Sequence, residues 1–374
     1  MSLVLYRKYR PQTFAEIIGQ KHVVQTLSNA ISNETVSHAY LFSGPKGTGK
    51  TTIARLLAKA VNCENRKKGE FEPCNKCSSC DEIVRGRAMD FIEIDAASHR
   101  GIDDIRELRE GIKFSPTKSK YKVFILDEAH QLSKDAANAL LKTLEEPPAH
   151  AIFVLATTEI HKMIATIISR CQRFDFRKAT LPEIMERLSI LCKKESIKID
   201  NPAMELIALN SSGAIRDAES LLNQVAILFQ GSKNEIQSND IKDLLGLVEI
   251  ETVSKFTDFM TNKKTFEAIN YLNEITDKGL DLEEFSKTLI NYLRKGLILK
   301  IMGEGNPVSS VEYLSGLTKE EIAMLKNQVS TFKETDLRRI LNTFLEAQNK
   351  IRYASIPQLP LELAVVEVVE FLNA

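Results

Sequence analysis

Short apolar runs alternate with helical periods through the first half of the chain. Residues 40–42, 90–95, 122–127 and 151–156 read as strands, while apolar positions three and four apart predict helices over 51–61, 102–112 and 133–145, the last ended by Pro147 and Pro148. Such alternation predicts a parallel sheet covered by helices, with functional residues at the carboxyl ends of the strands. From about Thr180 the strand pattern stops. Residues 182–193, 202–210 and 214–229 are helical periods, and further helical stretches, among them 281–301, 335–351 and 361–372, follow Leu245 and Gly246. The predicted organisation is an α/β domain over 1–178, a small helical domain over 179–243 and an all-helical domain over 244–374.

The strongest local chemistry lies where the first strand ends. Gly44, Pro45, Lys46, Gly47, Thr48, Gly49, Lys50 and Thr51 fill the pattern G-x-x-x-x-G-K-[ST]. The run 38–42 delivers the chain to the loop, and Ile53, Leu56, Leu57 and Ala60 continue from it at helical spacing. Glycines allow backbone N–H groups to turn inward around an anion, and the unpaired amides and dipole of the new helix favour negative charge. A nucleoside triphosphate is the implied ligand, with Lys50 between its outer phosphates and Thr51 offering a hydroxyl to Mg²⁺.

The run 123–126 ends in Asp127 and Glu128, placed where a second strand beside the loop strand delivers carboxylates to the metal. Asp127 suits Mg²⁺, and Glu128 suits orienting an attacking water. The run 152–156 ends in Thr157 and Thr158, whose hydroxyls either touch the outer phosphate or cap locally. Arg170 and Arg216 sit near domain boundaries, where a guanidinium either serves phosphoryl transfer or is a solvated charge.

Composition narrows the classes. Fifty basic and fifty acidic residues cancel, so no global field draws the chain to nucleic acid or membrane. The sequence has neither a leader pattern nor an apolar stretch of about eighteen residues, and a cytosolic location is expected. Four of the six cysteines, Cys63, Cys74, Cys77 and Cys80, are spaced C-x10-C-x2-C-x2-C, which suits tetrahedral Zn²⁺. Four thiolates leave no open position, so the expected role is structural, with free thiols or a redox pair as the alternatives. Cys171 and Cys192 read as buried thiols. Arg66, Lys67, Lys68, Arg85 and Arg87 make a phosphate-binding patch beside the cysteines a competing reading.

Taken together these residues resemble the gamma/tau family of bacterial DNA polymerase III clamp-loader subunits, which are AAA+ ATPases. The resemblance is carried by 6–14 with 17–20, the phosphate loop, the four-cysteine insertion, 93–98, 140–148 and Ser169-Arg170-Cys171. It implies an AAA+ sheet domain with a zinc insertion, a helical lid and a helical collar. It implies ATP with Mg²⁺, adenine packed by Arg10, Pro11, Ile17 and Ile18, Thr158 as sensor 1, Arg216 as sensor 2 and Arg170 as an arginine finger toward a neighbouring subunit. The implied partners are delta and delta-prime subunits, other copies of the chain, the beta sliding clamp and primed DNA, with single-stranded-DNA-binding protein reached through other subunits, no membrane, and a place in the cytoplasm at the nucleoid. His99 and Arg100, just before a helix start, are the candidate DNA contacts. A scaffold without catalysis and a different AAA+ DNA-remodelling ATPase are the alternatives.

Overall fold

A computed structural model describes residues 4–98, 101–229, 234–302 and 318–373. It divides into two compact units, Met1–Ser238 and Asn239–Ala374. The first is built on strands β1 (Ala39–Ser43), β2 (Phe91–Asp95), β3 (Lys122–Asp127), β4 (Ala151–Thr157) and β5 (Gln172–Asp175). They form one parallel sheet in the order β2-β3-β4-β1-β5. Every residue of β1 and β4 is buried, as expected of central parallel strands covered on both faces, whereas β2 and β5 are partly exposed edges.

The strand alternation sorts the core. Tyr40, Phe42, Val123, Ile125 and Val154 face one side. There they meet Val23, Leu27 and Ile31 of α2 (Lys21–Ser32) and Ile53, Leu56 and Leu57 of α3 (Lys50–Asn62), after the short α1 (Leu5–Lys8). Leu41, Phe124, Leu126, Phe153 and Leu155 face the other side. After α4 (Ser78–Val84) in the cysteine segment, α5 (Ile102–Lys113) and α6 (Lys134–Glu145) cover that face with Ile105, Leu108, Leu140 and Leu144. Phe124 and Phe153 stack there with ring centroids 5.4 Å apart.

Two expectations change. The acidic strand β3 is not the neighbour of β1, because β4 lies between them. A fifth strand, β5, follows α7 (Ala165–Ile168), and its four residues contribute one buried side chain, Phe174, too little for an apolar run. His99 and Arg100 lie outside the described residues.

Helices α8 (Leu181–Glu195), α9 (Asn201–Asn210) and α10 (Ile215–Leu228) pack together in the same unit as the sheet. Pro182 sits in the first turn of α8, and the Glu183 carboxylate accepts the Thr180 N–H at 2.8 Å, closing a capping box. Asp200 caps α9 by accepting from Ala203 N at 2.7 Å.

The second unit is helical, with α11 (Ser238–Leu245) at its start, then α12 (Ile250–Thr261), α13 (Thr265–Asp277), α14 (Leu282–Met302) and helices Lys319–Ser330, Glu334–Ile351 and Leu359–Asn373. Phe256 lies edge-on to Phe285 and Phe344, at 5.2 and 6.2 Å. Gly296 permits a close helix contact, since a Cβ there would stand 2.5 Å from Val329 Cγ1. Among the described residues no helix is long and apolar enough to cross a membrane.

Glu183 ties strand end to helix start, because Arg177 grips it through both oxygens at 2.9 and 2.6 Å. The Arg177 guanidinium, helped by the Thr180 N–H, holds the Glu183 carboxyl down to about 2 against burial. A carboxylate depressed in the folded state adds stability above its unfolded pKa, about 4.3, and loses it as pH falls toward 2. Glu183→Gln should therefore melt below wild type at pH 7, with the gap closing between pH 4.5 and about 2 in thermal melts; a gap that persists at the acid end would refute this.

Candidate functional site

The loop between β1 and α3 is shaped by contacts that exclude side chains. A Cβ on Gly44 would lie 2.4 Å from the Phe176 carbonyl oxygen, and Gly49 caps α3 in the left-handed region at φ 98°. Lys50 is 6% exposed, and its Nζ donates to the carbonyls of Gly44 at 2.7 Å and Pro45 at 2.9 Å. Burial lowers its pKa, with Glu128 and Asp127 opposing. The ammonium is thus held at the loop by carbonyl dipoles.

Three strand ends converge beside it. The Thr51 hydroxyl donates to Asp127 Oδ2 at 2.8 Å, from α3 across to the end of β3. Glu128 takes left-handed backbone angles, φ 47° and ψ 43°, and its Oε2 accepts the Thr158 hydroxyl at 2.9 Å. His130, with a buried side chain, stands 3.0 Å from Thr157 Oγ1 through Nδ1 and 3.1 Å from Glu159 Oε2 through Nε2. Glu128 is therefore fixed from β4 as well as from its own strand.

These groups open into a cavity of about 290 Å³. Lys46, Gly47, Thr48, Gly49, Lys50, Thr51, Asp127 and Glu128 line it, as do Arg10, Pro11, Ile17 and Ile18. Arg216, on α10, also lines it, with its guanidinium 4.6 Å from the centre of the Tyr6 ring. Burial lowers the Arg10 guanidinium from its ordinary range, and Arg55 nearby adds to that. Thr158 reaches the cavity through Glu128. Arg170 is not among the lining residues; its Nη1 donates to the Thr166 carbonyl at 2.7 Å, and its Nε and Nη2 both meet Glu145 Oε1.

The resemblance assigned the segment 6–20 to the adenine, and Tyr6 and Glu16 of it line the same cavity; sequence reasoning did not single out Thr52, Glu93, Arg187, Ile215 and Glu219, which line it too. Arg187 and Glu219 form an ion pair at 2.6 Å with each side chain 7% exposed, and Arg187 Nη2 also donates to the Tyr9 carbonyl at 2.6 Å. Burial raises the Glu219 pKa, opposed by Arg187 and Arg10. No motif signals this pair, because its members lie thirty-two residues apart on α8 and α10.

The sulfurs of Cys63, Cys74, Cys77 and Cys80 all lie within 4.8 Å of one another. Zn–S bonds of about 2.3 Å in a tetrahedron need sulfurs about 3.8 Å apart, so the group fits with a small contraction. Cys74 Sγ accepts the N–H groups of Lys76 at 3.4 Å and Cys77 at 3.3 Å. Burial works against its thiolate, but these donors prevail and bring the thiol down to about 6. Burial pushes Cys80 up, as it does Cys171, to about 12, and Cys192, to about 11. The basic patch is weakened as a phosphate site, because Arg66 is spent on the carbonyls of Ala60 at 2.8 Å and Glu70 at 2.7 Å, and Arg85 pairs with Asp81 at 2.9 Å.

Family models match along the chain. Residues 19–180 match a DNA polymerase III delta subunit model, 183–231 the ATPase lid domain of DNA polymerase III clamp loader subunits, and 236–373 domain III of DNA polymerase III subunits gamma and tau. DNA polymerase III subunit tau of Bacillus subtilis is 41% identical over 97% of the chain and 62% of its own length. The tau subunit of Escherichia coli is 34% identical over 98% and 55%. DNA polymerase III subunit gamma of Buchnera aphidicola is 37% identical over 98% of both. The chain spans less than two thirds of the two tau subunits and nearly all of this gamma subunit.

The buried pair yields a stability test. Glu219→Ala strands the Arg187 charge and should cost about 3–5 kcal/mol, whereas replacing both partners with apolar residues of similar volume should cost far less. Denaturant unfolding measures both; equal losses would show that the pair contributes only packing.

Proposed function

The chain belongs to the gamma and tau family of DNA polymerase III subunits, and from that premise we propose that it is an ATP-driven motor subunit of a clamp loader. It binds and hydrolyses ATP to open the sliding clamp and load it onto primed DNA. The observation that carries this reading is the pair of contacts Thr51–Asp127 at 2.8 Å and Thr158–Glu128 at 2.9 Å, which bring the loop helix and two strand ends to one cavity.

That geometry supports a role for each group. Lys50, already among carbonyls, exchanges those partners for the outer phosphate oxygens. Thr51 and Asp127, which share a hydrogen bond, are the residues to hold Mg²⁺, and bound Mg²⁺ neutralises charge on the β- and γ-phosphates. Glu128 orients and polarises the attacking water, and Thr158 fixes its carboxylate. Arg10, Pro11, Ile17 and Ile18 pack the adenine, and Arg216 reaches the phosphates from the lid. Arg170 acts on the nucleotide of an adjacent subunit, a role suited to an arginine outside its own cavity. Zn²⁺ in the Cys63, Cys74, Cys77 and Cys80 cluster is structural. The 183–231 segment serves as lid and the 236–373 segment as a collar joining delta, delta-prime and further copies in a ring. The working place of such a ring is the cytoplasm, at the nucleoid.

ATP turnover measured with and without delta, delta-prime, clamp and primed DNA tests the whole reading: stimulation by the four together is expected, and turnover indifferent to them would point to another AAA+ motor. In the assembled ring Arg170→Ala should lower turnover about 10³-fold with ATP affinity retained, while Lys50→Ala should lose affinity. Equal loss of affinity in both variants would remove Arg170 from the neighbouring site. Glu128→Gln should abolish turnover, and clamp loading that survives it would favour the scaffold reading.

A further inference from the structure

The segment 10–18, which supplies Arg10, Pro11, Ile17 and Ile18 to the cavity, has few local ties, among them Gln12 N to Glu16 Oε2 at 2.6 Å and Gln12 Nε2 to the Arg10 carbonyl at 2.9 Å. Arg10 and Pro11 lie in irregular backbone, and a single short helical turn, Phe14–Glu16, separates them from Ile17 and Ile18. The first N–H groups of such a turn have no partner within it. Here they find one in the cysteine module. Glu72, two residues before Cys74, accepts Phe14 N through Oε2 and Ala15 N through Oε1, both at 2.9 Å. The preceding residue, Phe71, sets its ring 6.2 Å from that of Phe14, which is itself buried in the sheet core. Lys59, on α3, adds a third tie by donating to Gln12 Oε1 at 2.8 Å.

We propose that Glu72 is a positioning residue for the base end of the nucleotide site, so that the four-cysteine module anchors the segment 10–18 as well as folding its own insertion. The proposal rests on the reading that this cavity takes ATP. Its physical content is a division of support. The phosphate loop is carried by β1 and α3 and owes nothing to Glu72, whereas Ile17 and Ile18 follow directly from the turn that Glu72 caps. A carboxylate taking two adjacent backbone N–H groups makes charge-assisted bonds, and neither a shorter nor a neutral side chain replaces both. Releasing the turn should loosen the walls around the base and leave the phosphate end intact.

The test uses the full chain and two ligands, Mg-ATP and inorganic tripolyphosphate, with binding followed by calorimetry. Glu72→Ala should raise the Kd for ATP about tenfold and leave that for tripolyphosphate unchanged, with Glu72→Gln in between. Glu70→Ala, in the same module, should behave as wild type. Amide hydrogen exchange without ligand should speed up over 14–18 in Glu72→Ala and stay constant over 44–52. Bound zinc per chain should match wild type. An unchanged ATP Kd, an equal loss for both ligands, an equal effect of Glu70→Ala, or loss of zinc alongside loss of affinity would each overturn the assignment. Failure of the wild-type chain to bind ATP would instead sink the functional reading on which it rests.

Discussion

The hydrogen bond from the Thr51 hydroxyl to Asp127 is the constraint around which the site is arranged. It joins the helix after β1 to the end of β3 although β4 runs between those strands. The turn from β1 into α3 therefore brings Thr51 past β4 to the end of β3. Gly44 and Gly49 permit that turn, one by close approach to Phe176 and the other by its left-handed backbone. The register then does the rest. Ser43 lies opposite Thr157 and Leu126 opposite Leu155, so the ends of β1, β3 and β4 finish together, and the polar residues that follow share one rim.

What was legible in the sequence is what short-range physics decides. The phosphate loop and the carboxylates after 123–126 are each contained in a few consecutive residues and the cysteine spacing in the stretch 63–80, so their chemistry shows without a fold. Of the residues singled out from the loop, Lys46 to Thr51 line one cavity with Asp127, Glu128, Arg10, Pro11, Ile17, Ile18 and Arg216, whereas Gly44 and Pro45 do not line it and instead turn their carbonyls to the Lys50 ammonium. Strand order was not legible, because apolar runs of similar length do not state their neighbours. β5 was missed for want of burial, Phe174 being its one buried side chain. The helix Lys21–Ser32 was missed although Val23, Leu27 and Ile31 recur every four residues.

Arg187 and Glu219 show the opposite limit. Each is an ordinary charge on a helical period, and only packing of α8 against α10 makes the two a buried pair that lines the cavity. Arg187 also takes the Tyr9 carbonyl, the Lys8 ammonium meets Glu195, and Arg216 lies over Tyr6. The N-terminal residues 5–9 are thereby fastened to the lid helices, while Gln12, Phe14 and Ala15 are fastened to α3 and the cysteine module. Arg10 and Pro11 bridge the two sets of anchors and line the cavity between them.

That bridge bears on how a ligand in the cavity can be felt elsewhere. A shift of α8 and α10 relative to the sheet would load the chain between Tyr9 and Gln12, whose flanks are tied by hydrogen bonds and an ion pair. Under the proposed function, a base packed on Arg10 and Pro11 would favour one position of α8 and α10 over others, and Arg216, 4.6 Å from the centre of the Tyr6 ring, would give up a modest attraction when phosphates compete for it. A ligand biases such an equilibrium only by contacts that differ between the two positions, and this cavity is lined both by Arg10 and Pro11 and by Arg216 of α10. Under the proposed function, α8 and α10, rather than the sheet, are the elements through which occupancy of the site would become a change of shape.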